Sequence, residues 1–226
     1  MSPSTIFVPD GYALGRCLWV AALLALVAGC GPAKVVVEGQ FPPPLMEPMP
    51  MTMGVWYGEY FAIHVFFVEA KSREDSSWLV KTGQSHVQIW DTLLAGIFDS
   101  VVHMKGEPGP GQMIQAVDAV LVPHVDELQY AIPAHTNIKV YEIWMRYRFE
   151  LVSSSGVPIG EWTMSAYGKT PTAFLRSDEA AVNLAAVMAL RDAGANFATN
   201  FTRVPVVQEW LQQREQTGNT PKEAAR

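Results

Sequence analysis

The spacing of apolar residues changes along the chain, and the clearest pattern is helical. One wide apolar stripe at helical spacing predicts a first helix, and its members are Trp90, Leu93, Leu94, Ile97, Phe98, Val101 and Val102. Ser85 and Gln88 match a capping box at its start. A second helix is predicted after Ser177, with acidic residues in its first turn. Its inner face consists of Val182, Ala186, Leu190, Ala193, Phe197 and Phe201.

Four other stretches predict strands. Residues 54–70 are apolar on both faces, and residues 117–125 contain Pro123, which indicates an edge position or a bulge. Apolar and polar residues alternate over 143–151, and a further strand follows at 159–167. This order predicts an α+β fold. We expect a two-layer β-α-β-β-β-α sandwich, with a mostly antiparallel sheet and two helices packed on one face.

The beginning of the chain has the layout of a secretory signal. Arg16 precedes an apolar run over 17–29 that is too short to span a bilayer as a mature helix. The run ends in Val-Ala-Gly before Cys30, which resembles the lipobox of bacterial lipoproteins. The resemblance implies that residues 1–29 are a signal peptide and that Cys30 becomes a lipidated N-terminus. Gly31 rather than aspartate follows. By analogy with the sorting rules of enteric lipoproteins, the resemblance implies a lipid anchor at the periplasmic face of the outer membrane.

Composition divides the rest of the chain into a tether, one domain and a tail. Residues 30–53 are rich in proline and methionine, which predicts an extended tether between the lipidated cysteine and the domain. A single α+β domain is expected over 54–211, ending in a short helix that Trp210 anchors. Residues 212–226 are polar and predict a frayed tail.

The tether contains a methionine cluster made of Met46, Met49, Met51 and Met53. Thioethers can bind Cu(I). Because no histidine or cysteine joins the cluster, we interpret it as apolar filler and expect no metal and no cofactor.

Charge and cysteine content exclude several classes of protein. The net charge of −6 and a pI near 5.3 argue against binding to nucleic acid. Cys17 would leave with the signal and Cys30 would carry lipid. The mature chain would then have no free thiol for a disulfide, a thiolate metal site or a nucleophile.

The sequence predicts no catalytic residues and no metal ligands. Five histidines are present, namely His64, His86, His103, His124 and His135, and no pair has the spacing of a helical metal site. His86 and His103 are expected on the surface at the two ends of the first helix. His124 and Asp126 share a strand face next to Glu127, which leaves a binding site there as a less favoured alternative. We predict that the protein is not an enzyme, and a hydrolase without a recognisable motif is the least favoured alternative.

Aromatic residues are the candidates for partner binding. Trp144 lies on the polar register of its strand, so it should point away from the core. Phe61 and Phe66 lie on the two apolar faces of the 54–70 stretch, which has more apolar surface than one sheet face can use. We therefore predict Trp144, Phe61 and Phe66 as partner-binding residues. The alternative is that the tether or the tail covers Trp144.

The whole pattern is similar to a broad group of outer-membrane lipoproteins. The likeness lies in the lipobox, the proline-rich segment, the order of elements, the strand at 117–123 and the alanine-rich helix at 180–201. The group includes the lipopolysaccharide-assembly lipoprotein, the curli-export lipoprotein and the auxiliary lipoproteins of ABC-type lipid transporters. The resemblance implies an accessory or structural subunit of an envelope transport or assembly complex. Its partners would be an envelope protein or a second copy. The alternative is a periplasmic lipoprotein that binds a lipid or small molecule.

Overall fold

The computed structural model describes residues 32–70, 77–114, 116–131, 140–171 and 177–218. The strands are β1 (Ala33–Val36), β2 (Met49–Val55), β3 (Val65–Val68), β4 (Trp78–Lys81), β5 (Phe98–His103), β6 (Ala119–Ala131), β7 (Val140–Ser153) and β8 (Pro158–Pro171). The helices are α1 (Glu59–Ala62), α2 (Gly83–Ile97), α3 (Asp178–Asn200) and α4 (Pro205–Gly218), with a 3₁₀ turn at Phe201–Arg203 between the last two. None of these helices is both long and apolar enough to cross a membrane.

The main sheet has five strands in the order β5-β2-β6-β7-β8. β2 is parallel to both of its neighbours, and α2 lies in the crossover that leads from β2 to β5. β6, β7 and β8 form a long antiparallel meander. The predicted α+β class is confirmed, with a helical crossover followed by a meander. The sheet is mixed, with two parallel and two antiparallel pairings.

One face of this sheet packs against α2 and α3. Trp90 lies at the centre, with ring centroids 5.1 Å from Phe149 of β7 and 5.0 Å from Phe197 of α3. The core prediction is confirmed for Trp90, Leu94, Ile97, Phe98, Leu190 and Phe197, which are all buried. It is wrong for Val101, which is only half-buried. Ser177 caps α3 as predicted, because its Oγ accepts a hydrogen bond from the backbone N–H of Ala180 at 3.2 Å.

A second, three-stranded sheet has the order β1-β4-β3. The prediction of one continuous strand over 54–70 is therefore wrong. β2 ends at Val55, α1 follows, and β3 belongs to the second sheet. The chain turns because the Gly58 carbonyl accepts hydrogen bonds from the N–H groups of Phe61 and Ala62, which begins a helical turn.

The prediction of a free tether is wrong for residues 33–53. β1 and β2 both lie in this stretch, and its buried side chains are Val35, Val37, Phe41, Met51 and Met53. Arg191 of α3 donates two hydrogen bonds to the carbonyl of Gln40, at 3.2 and 2.9 Å. Pro42–Pro44 and Pro48 lie between β1 and β2, outside any helix or strand. Because the buried side chains of this segment are apolar, the segment packs on the domain and does not extend away from it.

The first helix begins and ends earlier than its apolar stripe predicts. Thr82 occupies the N-cap position without a side-chain hydrogen bond, so the predicted capping box is wrong. Ser85 instead donates its hydroxyl hydrogen to the carbonyl of Val37 at 2.5 Å. The helix ends at Ile97, and Phe98 begins a strand while remaining buried. The predicted helix is therefore wrong for residues 98–102, where Val101 is half-buried and Val102 is 38% exposed.

Two further boundaries differ from prediction. The last helix, anchored as predicted by the buried Trp210, extends to Gly218, so the frayed tail is wrong for residues 212–218. Arg214 in this helix binds Asp118 with 2.7 Å between Nη2 and Oδ1. In β6 the register shift lies between Val125 and Glu127 rather than at Pro123.

Candidate partner-binding surface

The main sheet has one face that the helices do not cover. Strand alternation directs every second residue of β7 outward, and each has cross-strand neighbours on β6 and β8. We call the resulting patch the outer sheet face; it consists of His124, Asp126, Glu127, Gln129, Glu142, Trp144, Arg146, Arg148, Glu150, Glu161, Thr163, Ser165, Tyr167 and Lys169. Its inward counterparts on β7, Tyr147 and Phe149 among them, are completely buried.

Trp144 is the exposed aromatic centre of this face. Its side chain is 40% exposed, and its ring centroid lies 5.1 Å from that of Tyr167, its cross-strand neighbour on β8. The Tyr167 hydroxyl donates a hydrogen bond to Glu142 Oε1 at 2.6 Å. Burial, and then the Glu142 carboxylate, raise the pKa of Tyr167 to about 12.

The charges around Trp144 are paired across the strands. Arg146 Nη1 lies 3.1 Å from Glu127 Oε2, and Arg148 Nε lies 3.3 Å from Asp126 Oδ1. Arg148 also binds Glu150. Because these charged groups partly neutralise one another, the face is polar without a strong field of one sign. Such a face suits a protein partner better than a polyanion.

A shallow pocket opens beside the aromatic pair. Its volume is about 240 Å³, and it is lined by Glu127, Gln129, Trp144, Met145, Arg146 and Ser165. The opposite end of the outer face is covered, because Val120, Val122 and Val152 pack there against Trp56, Met104 and Ile114. Trp144 therefore stands at the open end of the sheet.

The predicted partner-binding residues do not form one surface. Trp144 points away from the core, as its register predicts. Phe61 is 3% exposed and stacks on Tyr57, with 5.4 Å between ring centroids, so its assignment to a surface is wrong. Phe66 is half-buried and contacts Tyr130 edge-on. Tyr130 pairs with the inward-facing Ile143, so Phe66 is not on the outer sheet face.

Cys30 and His135 lie outside the described residues, so lipidation of Cys30 stays a prediction. His124 Nε2 lies 3.1 Å from Glu150 Oε1, on the same face as Asp126. Over the described ranges, no group of three or more histidine, cysteine, aspartate or glutamate side chains could hold a metal ion.

The placement of His86 on the surface is wrong. This side chain is completely buried, and its Nδ1 lies 3.1 Å from the hydroxyl oxygen of Tyr147. His64 packs edge-on against it, with 5.5 Å between ring centroids, and forms a 2.6 Å hydrogen bond with Thr82 Oγ1. The sequence did contain a signal for this burial, because His86 lies one helical turn before Trp90 on the apolar stripe.

The methionines of the predicted cluster are divided between core and surface. Met51 and Met53 are buried on β2, and Met49 is half-buried on the same face. Met46 lies before the strand and is 38% exposed. The strand methionines pack as core residues.

A separate apolar cleft lies under the proline-rich segment. Its volume is about 280 Å³, and its walls are Phe41–Pro44 on one side with residues of α2 and α3, including Leu93 and Ala198, on the other. Arg191 is its charged residue, and its guanidinium is held by the Gln40 carbonyl.

Comparisons with known proteins show similarity only at the level of solved structures. No family model and no curated protein matches the sequence. Among solved structures, it is similar to protein XCC0632 from Xanthomonas campestris, a DUF330 protein, with 12% identity and a TM-score of 0.48. That match covers 83% of this chain and 100% of that one. A minor lipoprotein from Acinetobacter baumannii is 10% identical with a TM-score of 0.37, covering 70% and 94% of the two chains. Both TM-scores are below 0.5, so we draw no functional conclusion from them.

Proposed function

We propose that this chain is a non-enzymatic envelope lipoprotein that serves as an accessory or structural subunit of a transport or assembly complex. The observation that carries the proposal is the exposed Trp144, which Tyr167 holds in place at the open end of the outer sheet face. Aromatic residues with few rotatable bonds are frequent anchors of protein interfaces. The surrounding charges pair with one another, which favours a docking surface over an acid–base site.

The proposed location is the periplasmic face of the outer membrane, with a lipid anchor at Cys30. The supporting observations are the apolar leader, the Val-Ala-Gly-Cys ending and Gly31. A cysteine that carries two or three acyl chains holds a protein stably on a bilayer, whereas a single chain does not. The intact mass of protein extracted from membranes should show an acylated Cys30. A free mature protein that begins at another residue would contradict the anchor.

Site-specific photocrosslinking tests the outer sheet face. A benzoylphenylalanine at Ser165, beside the pocket next to Trp144, should form an adduct with an envelope transport or assembly protein in living cells. The same group at Met188, an exposed residue of α3 in the other layer, is the matched control and should not. Trp144→Ala should weaken the association by about 2 kcal/mol, which lowers the affinity about 30-fold.

Two results would contradict the subunit proposal. One is equal crosslinking from positions 165 and 188. The other is an unchanged adduct in Trp144→Ala. A second copy as partner would appear as an adduct of twice the chain mass, and sedimentation of the purified protein would show the same dimer.

The apolar cleft favours a second candidate function, the binding of a small apolar molecule. Its volume of about 280 Å³ is close to the lower end of the range for ligand pockets, about 300 Å³. Ala198→Phe would fill the cleft from α3. If ligand binding is the function, this variant should lose both a co-purified small molecule in native mass spectrometry and its activity in cells, while Trp144→Ala should keep both.

A further inference from the structure

The three-stranded sheet has an exposed apolar face. The register of β1, β4 and β3 aligns two rows of outward residues across the strands. We call these residues the small-sheet outer face; they are Lys34, Leu79 and Phe67 in one row, and Val36, Lys81 and Val65 in the other. Phe67 is 55% exposed, Val36 50% and Val65 46%. These are high values for apolar residues that neighbour one another on a sheet.

The other side of this sheet accounts for its orientation. Val35, Val80 and Trp78 are buried in the main core, and Phe66 is packed partly against it. Because strand residues alternate, the rows that contain Phe67 and Val65 must face away from the protein. Their exposure therefore follows from the fold itself. The strands that carry these rows, β1 and β3, both pair with β4.

The distance along the chain to the proposed anchor is short. β1 begins at Ala33, only three residues after Cys30. Three extended residues span at most about 11 Å. Since the residues from Ala33 onward belong to the fold, they provide no spacer. A lipid on Cys30 would hold the small sheet at the membrane surface.

The charge of this face also suits a membrane. Its six outward positions include Lys34 and Lys81 and no carboxylate, in a chain with a net charge of −6. Lysine stems lie along apolar surface while their ammonium groups reach the phosphates of lipid headgroups. Aromatic and aliphatic residues between two lysines are the arrangement expected at a bilayer interface.

We infer that the small-sheet outer face rests in the headgroup region of the bilayer that holds the N-terminal lipid. The inference depends on the proposed lipidation of Cys30. Because the lipid anchor already holds the domain at the bilayer, the effective concentration of this face at the membrane is high. A modest apolar face is therefore sufficient to orient the domain. The occupant of this face is a phospholipid bilayer, and Trp144 on the main sheet stays available to a protein partner.

Spin labels on single cysteines test this orientation in the full lipidated protein. The proposed mature chain has no free thiol, so Phe67→Cys and Val36→Cys each introduce one labelling site. Met188→Cys, on the exposed side of α3, is the control. The proteins are reconstituted in vesicles of phosphatidylethanolamine and phosphatidylglycerol, and power saturation compares the collision of each label with oxygen and with a water-soluble nickel complex.

For each label, the measured quantity is the ratio of its collision with oxygen to its collision with the nickel complex. We expect this ratio to be several-fold higher at positions 67 and 36 than at position 188. Equal values at all three positions, with the protein still bound to vesicles, would overturn the inference. Spin–spin broadening at position 67 that grows with protein density would also overturn it, because a second copy would then cover this face.

Intact mass separates the failure of this inference from failure of the anchor. If Cys30 is acylated but the labels at positions 67 and 36 are exposed to water, only the orientation is wrong. If Cys30 carries no acyl chain, the anchor itself is wrong and the orientation falls with it. Two labelled positions on different strands also guard against a local effect of either substitution.

Discussion

The Nδ1 atom of His86 and the hydroxyl oxygen of Tyr147 lie 3.1 Å apart, and both side chains are completely buried between α2 and the main sheet. Burial, and then the neighbouring His64, lower the pKa of His86 to about 3. The native protein therefore keeps this imidazole neutral over the range in which an unfolded histidine, with a pKa of about 6.5, becomes protonated.

This buried histidine predicts a loss of stability in mild acid. Below about pH 6.5 the unfolded chain binds a proton at His86 that the native state does not bind until about pH 3. The stabilisation is complete above pH 6.5 and falls by about 1.4 kcal/mol per pH unit as the pH decreases. Urea titrations at several pH values between 6 and 4 measure the free energy of unfolding at each pH. As the pH decreases, this free energy should fall less steeply in His86→Gln than in the unmodified chain, by about 1.4 kcal/mol per pH unit.

Tyr147→Phe is the matched control for the pH experiment. It keeps His86 buried and removes only the hydroxyl group, so the slope should persist even though total stability decreases. Parallel slopes for the unmodified chain and His86→Gln would show that the histidine is not the source of the acid sensitivity.

The junction between α2 and β5 should be a major source of stability. Phe98 is 1% exposed and packs edge-on against Phe201, with 5.5 Å between ring centroids. Phe98→Ala should lower the free energy of unfolding by about 3–5 kcal/mol, because it removes buried apolar surface and leaves a cavity. Tyr60→Ala, at a site that is 89% exposed, should change it by less than about 0.5 kcal/mol. A loss below about 1 kcal/mol for Phe98→Ala would contradict the packing described here.

The contact between β8 and α3 depends on one glycine. A Cβ atom on Gly168 would lie 2.0 Å from the carbonyl oxygen of Ala185 and 2.3 Å from the backbone nitrogen of Ala189. Since both obstacles are backbone atoms of α3, helix and sheet must separate to accept it. Gly168→Ala should destabilise the fold by about 2–3 kcal/mol in thermal or chemical denaturation. Gly106→Ala, where no atom lies within 4 Å, is the control and should leave stability nearly unchanged.

Asp118 should link the last helix to the main sheet. Its Oδ1 binds Arg214, and its Oδ2 accepts a hydrogen bond from the backbone N–H of Thr52 at 2.8 Å. Asp118→Ala leaves both groups without this partner and should cost about 1–3 kcal/mol. Asp118→Asn retains an acceptor for Thr52 and should cost less. Equal losses in the two variants would show that the acceptor for Thr52 is unimportant.

The sequence predicts elements well where an apolar pattern continues through the whole element. α3 and β7 are such cases, since the capping Ser177 and the outward Trp144 both lie where their patterns require. The pattern fails where one stripe continues through a change of structure. Phe98 continues the stripe of α2, so periodicity alone cannot show that the helix ends at Ile97.

Composition alone also cannot show whether an extended segment packs on the domain. The stretch around Phe41 is rich in proline, yet it packs on the domain through buried apolar side chains and through hydrogen bonds to α3 residues such as Arg191, which are distant in sequence. The same limit applies to the candidate surface. The register of its strand predicts the exposure of Trp144, but its contact with Tyr167 depends on how β7 and β8 pair. The predicted exposure of Phe61 is wrong because a stretch that is apolar on both faces is compatible with both strand and helix.

The attachment of residues 38–40 to α3 has a consequence for the order of events in the proposed export. The Glu38 N–H donates to Asn183 Oδ1 across 145 positions of sequence, and Gln40 accepts from Arg191 across 151. A chain that emerges from its N-terminus cannot make these contacts until almost all of it has crossed the membrane. A peptidase that cuts before Cys30 would therefore meet an open segment. Residues 38–40 would close onto α3 only after the chain up to Arg191 had emerged, whereas β1 pairs with the nearby β4.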